Sequence, residues 1–142
     1  GKSGAEIVAE LERRRATLHL YVALETLEYL KRGGRISAAQ AAIGSVLSVK
    51  PIITIEHGVV ETADRPRTRG KARARVLELL GAVDPEMVAV VHGQAPDIES
   101  FAADLARTIN FPRDRMTIDL IGPSVGPYVG PGVYGAVILP KQ

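Results

Sequence analysis

The sequence predicts an α/β fold, a two-layer sandwich in which a mixed β-sheet of about six strands packs against about five helices. Two β-branched runs, 51–56 and 59–63, are joined by a two-residue turn and predict an antiparallel hairpin. A strand, an amphipathic helix and a second strand follow between 86 and 122 and predict a parallel pair. Because no linker interrupts this pattern, residues 1–142 are expected to form a single domain.

The first part of the chain predicts three helices and one strand. Ser3 and Glu6 have the spacing of a capping box, so the first helix is expected to begin almost at the terminus. Residues 17–24 have the composition of a strand, and 26–32 predict a short helix that stops at two glycines. Residues 37–49 begin with a second capping box and are small or apolar nearly all round, so this helix is expected to be buried.

The second part begins with the hairpin, whose turn is His57-Gly58. The helix that follows at 68–80 is expected to pack through one face, formed by Ala72, Val76 and Leu79 or Leu80. The remaining predicted elements are a strand at 86–93, a helix at 95–109, and strands at 115–122 and 133–139. Between the last two strands lies GPSVGPYVGPG, residues 122–132, called the Gly-Pro loop below. Its repeated Gly-Pro pairs predict a rigid loop with neither helix nor strand.

Composition excludes several classes of site. The chain is 46% hydrophobic and 24% charged, close to the average for soluble domains. It has no cysteine, which excludes disulfides and thiolate zinc sites and agrees with an expected cytoplasmic location. No apolar run reaches the ~18 residues of a membrane span, so no stable membrane insertion is expected. His19, His57 and His92 lack the spacing of metal ligands, and neither a cofactor motif nor a catalytic motif is found.

Gly33, Gly34 and Arg35, in the stretch RGGRIS, form the best candidate for an anion site. Consecutive glycines allow neighbouring backbone N–H groups to point one way, and the Arg35 guanidinium adds a planar set of donors. The helix predicted to follow adds unpaired N–H groups and a partial positive charge. An alternative stays open in which the glycines end one helix, a serine caps the next, and Arg35 is solvated or pairs with Glu25 or Glu28.

A second charged feature is a basic edge formed by Arg65, Arg67 and Arg69. Pro66 keeps this stretch extended before the next helix begins, which places alternate side chains on one edge. A solvated face is the usual outcome for such a pattern. A nucleic-acid-binding or regulatory module using residues 65–75 is the rival interpretation, weakened because no aromatic residue lies nearby for a base to stack on.

Three stretches together resemble the DegV family of bacterial fatty-acid-binding proteins, from about Val22 to the C-terminus. They are LETLEYLKRGGRISAAQAAIGSVLSVKPIITIEHGVV, RPRTRGKA and IGPSVGPYVGPGVYGAVIL. The resemblance implies a two-domain protein that holds a long-chain fatty acid between its lobes and presents the carboxylate to a partner fatty acid kinase. Such a protein is a carrier and not itself the enzyme. Residues 1–142 resemble only the second, C-terminal lobe, so a first lobe is expected to precede them.

The resemblance also implies roles for individual residues. Arg35 matches the family arginine close to the carboxylate, and Arg67 matches a basic position that faces the kinase, with Arg65 and Arg69 beside it. Tyr128 stands where the family motif Gly-Thr-His-x-Gly-Pro-Gly has its histidine, and Pro127 replaces the threonine. A phenol donates a hydrogen bond but carries no positive charge at neutral pH.

Two interpretations of this departure stay open. Either the carboxylate, held near Gly33 and Gly34, relies more heavily on Arg35 with Tyr128 donating, or this homologue has lost the kinase role and binds another amphipathic ligand or none. In the first case the acyl chain is expected to lie along the 37–49 helix and the residue that leads into it. The residues expected to line this groove are Ile36, Ala39, Ile43 and Leu47.

Overall fold

The structure is a computed structural model that describes residues 1–36 and 49–142. The helix predicted over 37–49 falls almost entirely outside the described residues. Three of the four residues predicted to line the acyl groove, Ala39, Ile43 and Leu47, lie there too. Their assignment stays a prediction.

The described residues contain one mixed sheet of six strands. The strands are β1 (His19–Ala23), β2 (Ile52–Glu56), β3 (Val59–Asp64), β4 (Pro85–His92), β5 (Thr117–Leu120) and β6 (Tyr134–Pro140). Their order across the sheet is β3-β2-β1-β6-β4-β5. The β4–β5 pair is parallel and the other four pairings are antiparallel. The predicted α/β class and mixed sheet are therefore confirmed.

The hairpin between β2 and β3 has the predicted two-residue turn. His57 and Gly58 both have positive φ, 52° and 80°, as a type I′ turn requires. Glu56 pairs with Val59 directly across the turn. The predicted hairpin and its two-residue turn are therefore confirmed, with an irregularity in the pairing between Ile52 and Ile53.

Five α-helices are found in the described ranges: α1 (Gly4–Arg15), α2 (Glu28–Arg32), α3 (Arg69–Gly81), α4 (Ile98–Thr108) and α5 (Gly126–Val129). The predicted capping box begins α1, where the Ser3 amide donates to Glu6 Oε2 at 2.6 Å. Thr68 caps α3, which buries Ala72, Val76 and Leu80 as its spacing predicts. A short 3₁₀ turn at Arg113–Arg115 precedes β5. No helix among these residues is long and apolar enough to cross a membrane.

The prediction that the Gly-Pro loop contains no helix was wrong for Gly126–Val129, which form the one-turn helix α5. Pro127 lies in its first turn, where a missing N–H leaves no helical hydrogen bond unmade. The turn closes with the Gly130 amide donating to the Gly126 carbonyl at 2.9 Å. Gly130 then ends the helix with φ of 79°, which glycine adopts without strain.

The core has one part on each face of the sheet. Helices α3 and α4 cover one face, where Phe101 and Tyr134 pack edge-to-face with ring centroids 5.1 Å apart. A smaller apolar cluster, called the second cluster, involves α2 and α5 on the other face. Its buried members are Val22, Leu24, Leu27, Leu30, Ile53, Val129 and Val133. Adjacent residues of β1, Val22 and Ala23, belong to different clusters, as strand alternation requires.

Strand direction brings several loops to one edge of the sheet. Strands β1, β3, β4 and β5 run the same way, so their carboxyl ends meet at this edge, called the carboxyl edge below. The segments that follow them, around residues 24–27, 65–68, 93–97 and 121–133, therefore lie together. In mostly parallel α/β sheets ligands bind outside the carboxyl ends of the strands, which makes this edge a candidate ligand site.

Candidate functional site

At the carboxyl edge, α2 and α5 pack through two tyrosines and two glycines. The Tyr128 ring lies against Gly33, where an added Cβ would be 2.6 Å from Tyr128 Cε1. The Tyr29 ring lies against Gly130 in the same way, with the added Cβ 2.6 Å from Tyr29 Cε2. Each helix therefore supplies a tyrosine that covers a glycine of the other, and no larger residue fits at either glycine without movement.

Arg35 lies over the ring of Tyr128. Its guanidinium carbon is 5.2 Å from the ring centroid, a cation–π distance, and Nη1 donates to the Gly33 carbonyl at 3.4 Å. Gly34 has φ of 65°, and the Arg35 amide returns to the Leu30 carbonyl at 2.9 Å, which ends α2. The structure thus brings together the four residues predicted to hold a carboxylate: Gly33, Gly34, Arg35 and Tyr128.

The carboxylates considered as alternative partners of Arg35 pair elsewhere. Glu28 forms an ion pair with Arg32, one turn along α2. Glu25 binds Lys50 and Arg69. Arg35 itself is exposed, and the Gly33 carbonyl is the hydrogen-bond acceptor it contacts among the described residues.

Apolar side chains lie next to this polar group. Ile36, the described member of the predicted acyl groove, is half-buried and packs against the second cluster, as does Tyr128. Four more half-buried residues pack against the same cluster, Leu20, Val60, Val91 and Ile121. A cationic group and a hydroxyl therefore adjoin an apolar surface, the arrangement that an amphipathic anion needs.

The three arginines predicted to form a docking edge have different surroundings. Arg65 and Arg67 are exposed on either side of Pro66, whose carbonyl accepts a 2.6 Å hydrogen bond from the Lys50 amide. Arg69 is half-buried at the start of α3, where its guanidinium carbon lies 4.4 Å from the Tyr134 ring centroid. The structure therefore leaves two arginines on the surface and holds the third in an ion-pair network.

Glu25 and Asp97 are the acidic members of that network. Lys50 Nζ donates to Glu25 Oε2 at 2.9 Å, and Arg69 Nη1 donates to Glu25 Oε1. Arg69 Nη2 donates to Asp97 Oδ1 at 2.6 Å. This role of Glu25, and the involvement of Lys50 and Asp97, were not predicted, because no local spacing indicates contacts between residues so far apart in the chain.

The network changes the acidity of its members. Burial raises the pKa of Glu25, but Lys50 and Arg69 outweigh it and leave that pKa below its ordinary value. The hydrogen bond from Arg69 likewise lowers the pKa of Asp97. Burial raises the pKa of Tyr134 to about 12, despite the nearby Arg69. Both carboxylates are therefore ionised at neutral pH and the Tyr134 phenol is not.

A cleft of about 520 Å³ opens at the opposite edge of the sheet, between α3 and the strands. It is lined by His19, Tyr21, Arg75, Glu78, Leu79, Ala82, Val83, Asp84, Pro140 and Lys141. None of the described residues predicted to bind ligand lines it. In residues 1–36 and 49–142 there is also no cluster of side chains that could hold a metal ion.

Comparison with protein families and curated relatives identifies proteins similar to this chain. A family model described as "Uncharacterised protein, DegV family" matches residues 1–141. A DegV domain-containing protein of Streptomyces coelicolor is 40% identical over 138 residues, which are 94% of this chain and 48% of the relative. The DegV protein of Bacillus subtilis is 35% identical, over 94% of this chain and 50% of its own. The chain thus spans about half the length of the curated relatives it matches.

Solved structures similar to this chain come from the same family. A crystal structure of a fatty acid binding DegV family protein from Streptococcus agalactiae has a TM-score of 0.86 and 27% identity, covering 100% of this chain and 51% of that one. A structure described as fatty acid binding of a DegV family protein from Thermus thermophilus has a TM-score of 0.85 and 30% identity. It covers 99% of this chain and 52% of that one. The fold described above is therefore found within proteins about twice as long.

Proposed function

Because this chain belongs to the DegV family, we propose that it is a lobe of a fatty-acid-binding protein and holds the ligand carboxylate at Arg35 and Tyr128. The observation that carries the proposal is the Arg35 guanidinium above the Tyr128 ring, beside Gly33 and an apolar surface. Arg35 supplies charge-assisted hydrogen bonds, and the Tyr128 hydroxyl supplies a neutral one. Two similar solved structures are described as fatty acid binding, which supports the same ligand class.

The acyl chain supplies most of the affinity in this proposal. Each buried methylene contributes about 0.8 kcal/mol, so a long chain outweighs the few polar bonds at the head group. Ile36 begins the apolar path, and Ala39, Ile43 and Leu47 continue it along the helix predicted over 37–49. The head-group residues then fix the orientation of the ligand.

A partner kinase is the second part of the proposal. The protein itself acts as the carrier, and a fatty acid kinase docks on the exposed Arg65 and Arg67 and phosphorylates the presented carboxylate. Arg69 belongs to this edge by sequence, although its guanidinium is committed to Glu25 and Asp97. Arg69 therefore affects docking indirectly, by fixing the position of the preceding segment that carries Arg65 and Arg67.

A different amphipathic ligand is the second candidate, and Tyr128 is the observation that favours it. A tyrosine in the family's histidine position adds no positive charge, so an uncharged polar head group would lose less there than a carboxylate does. Lipid extracted with the protein distinguishes the two, because the extract contains either free fatty acids or another lipid class.

The test is native mass spectrometry of the full-length protein, followed by titration with hexadecanoate while thermal unfolding is recorded. We expect a retained fatty acid and a melting temperature that rises with ligand concentration. Arg35→Ala is expected to weaken hexadecanoate binding about five- to thirtyfold, the equivalent of one or two kcal/mol of charge-assisted bonding. Arg32→Ala is the matched control, since Arg32 is an exposed arginine of the same helix paired with Glu28. The proposal fails if no lipid is retained and hexadecanoate leaves the melting temperature unchanged.

A further inference from the structure

Glu25 connects several segments of the carboxyl edge. Its carboxylate accepts hydrogen bonds from Lys50, just before β2, and from Arg69, the first residue of α3. Arg69 Nη1 also donates to the Gly132 carbonyl at 3.0 Å, at the end of the Gly-Pro loop. Gly132 lies so close that a Cβ on it would be 2.8 Å from Glu25 Cγ. The side chain of Glu25 therefore fills the space between the loop after β1 and the Gly-Pro loop.

Lys50 connects the same carboxylate to the basic edge. Its side chain binds the Glu25 carboxylate at 2.9 Å and the Glu25 carbonyl at 3.2 Å, while its backbone amide binds the Pro66 carbonyl at 2.6 Å. Pro66 lies between the exposed Arg65 and Arg67. One residue thus holds both Glu25 and the segment that carries the exposed arginines.

The negative charge of Glu25 makes it the most important residue of this ion-pair network. Lys50 and Arg69 are half-buried cations that bind the same carboxylate, Lys50 at Glu25 Oε2 and Arg69 at Glu25 Oε1. A neutral side chain at position 25 leaves these cations close together with less compensation, because the Asp97 carboxylate pairs with Arg69 and Arg73 and, among the described residues, not with Lys50. Loss of the charge therefore adds repulsion between the cations to the loss of charge-assisted hydrogen bonding.

We infer that Glu25, Lys50 and Arg69 form a positioning cluster. This cluster couples the head-group site, formed by Gly33, Gly34, Arg35 and Tyr128, to the exposed arginines of the basic edge, Arg65 and Arg67. The cluster holds the Gly-Pro loop, which carries Tyr128, and the Arg65–Arg67 segment in one relative arrangement. A ligand at Tyr128 and Arg35 then changes the affinity for a partner at Arg65 and Arg67, and the partner changes the affinity for the ligand by the same factor. The ligand and the partner in this inference both rest on the proposed function.

The first experiment reads the cluster without any ligand. Amide signals of Gly132 and Arg67 are recorded by two-dimensional NMR, with hydrogen exchange of the Gly132 amide, which donates to the Gly93 carbonyl at 2.6 Å. In Glu25→Gln we expect both signals to shift and the Gly132 amide to exchange faster. Glu99→Gln is the matched control, because Glu99 forms an exposed ion pair with Arg113. Unchanged Gly132 and Arg67 signals in Glu25→Gln overturn the inference.

Two variants of Lys50 separate the effect of its charge from a general loss of structure. Lys50→Arg keeps the cation and is expected to retain wild-type Gly132 signals, whereas Lys50→Met is expected to shift them. Denaturant midpoints are measured first, and the Lys50 variants decide the matter if Glu25→Gln does not fold. Equal Gly132 signals in the two Lys50 variants contradict a charge-based cluster.

The second experiment tests coupling with hexadecanoate. Saturating ligand is expected to shift the Arg67 amide in the wild type and to leave it in place in Glu25→Gln. The Kd for hexadecanoate is expected to rise about fivefold in Glu25→Gln, a coupling of about 1 kcal/mol, and less than about twofold in Glu99→Gln. If the wild type binds hexadecanoate and its Arg67 amide does not move, coupling is refuted. If the wild type does not bind hexadecanoate, the proposed function fails, while the ligand-free signals still decide whether the cluster positions the loop.

Discussion

Four alanine substitutions separate the two reasons for which glycines are required around the head-group site. Gly33 has no positive φ, but a Cβ there would meet the Tyr128 ring. Gly34 has φ of 65° and open space around it. Gly130 combines φ of 79° with a close contact to the Tyr29 ring, and Gly122 has neither problem. Gly33→Ala therefore tests crowding alone and Gly34→Ala backbone strain alone. Gly130→Ala tests the two together, and Gly122→Ala is the control without either.

The expected losses of unfolding free energy follow from these two terms. For a non-glycine residue, the left-handed conformation at Gly34 costs about 1–2 kcal/mol, and the extended positive-φ conformation at Gly130, with ψ of 173°, costs about 1–3 kcal/mol. Forcing an extra methyl into a packed site costs about 1–3 kcal/mol. Gly122→Ala is expected to change stability by less than about 1 kcal/mol. Gly34→Ala should lose about 1–2, Gly33→Ala about 1–3, and Gly130→Ala about 2–6 kcal/mol.

Urea unfolding followed by far-UV circular dichroism measures all four variants, with the m-value as a check that the transition stays two-state. The packing of Tyr128 on Gly33 is refuted if Gly33→Ala unfolds at the same urea concentration as Gly122→Ala. A Gly130→Ala variant no less stable than Gly34→Ala would instead show that Tyr29 does not restrict the Gly-Pro loop. Ligand titration of the folded variants then reports whether the same packing shapes the site.

Three further predictions concern charge and hydrogen bonding. Tyr128→Phe keeps the ring and removes one donor, so the Kd for hexadecanoate should rise about fivefold in calorimetric titration; an unchanged Kd shows that the hydroxyl does not bind the carboxylate. Folding lowers the pKa values of Glu25 and Asp97, so both carboxylates stabilise the folded protein. This stabilisation is complete above their ordinary pKa values, and it is lost as the pH falls through their lowered pKa values in the folded protein. The urea midpoint should therefore fall less between neutral pH and about pH 3 in Glu25→Gln than in the wild type, and equal falls refute this. Arg67→Ala should reduce kinase-dependent acyl-phosphate formation without changing hexadecanoate affinity, and a salt-sensitive gel shift with DNA or RNA that this variant abolishes would favour the nucleic-acid interpretation instead.

The elements that sequence predicted well depend on residues close together in the chain. The Ser3 capping box, the His57-Gly58 turn and the buried face of α3 each involve residues within about two helical turns, where spacing and backbone preference decide the outcome. The one-turn helix α5 was missed because Gly-Pro pairs suggest a break, whereas Pro127 in a first turn is compatible with a helix.

The site was less accessible to sequence reasoning. Local spacing singled out Gly33, Gly34 and Arg35, but their proximity to Tyr128 was implied only by family resemblance. The Glu25 contacts join residues 25 and 44 positions apart, and no periodic pattern indicates them. Arg69 shows the consequence, since its place in an alternating basic run suggested a surface residue and tertiary contacts made it half-buried.

The position of β6 in the sheet has a consequence for how the protein is made. This strand is the last in the sequence, yet it lies between β1 and β4, and pairs with β1 from His19↔Ile138 to Ala23↔Tyr134. A chain that has been synthesised only as far as β5 holds two separate pieces of sheet, β3-β2-β1 and β4-β5, with no strand to join them. The sheet is therefore completed only after translation reaches residues 134–140. Until then, the edges of β1 and β4 that β6 covers stay unpaired, and unpaired strand edges are places where aggregation competes with folding. Pairing between segments so distant in sequence is in general slow.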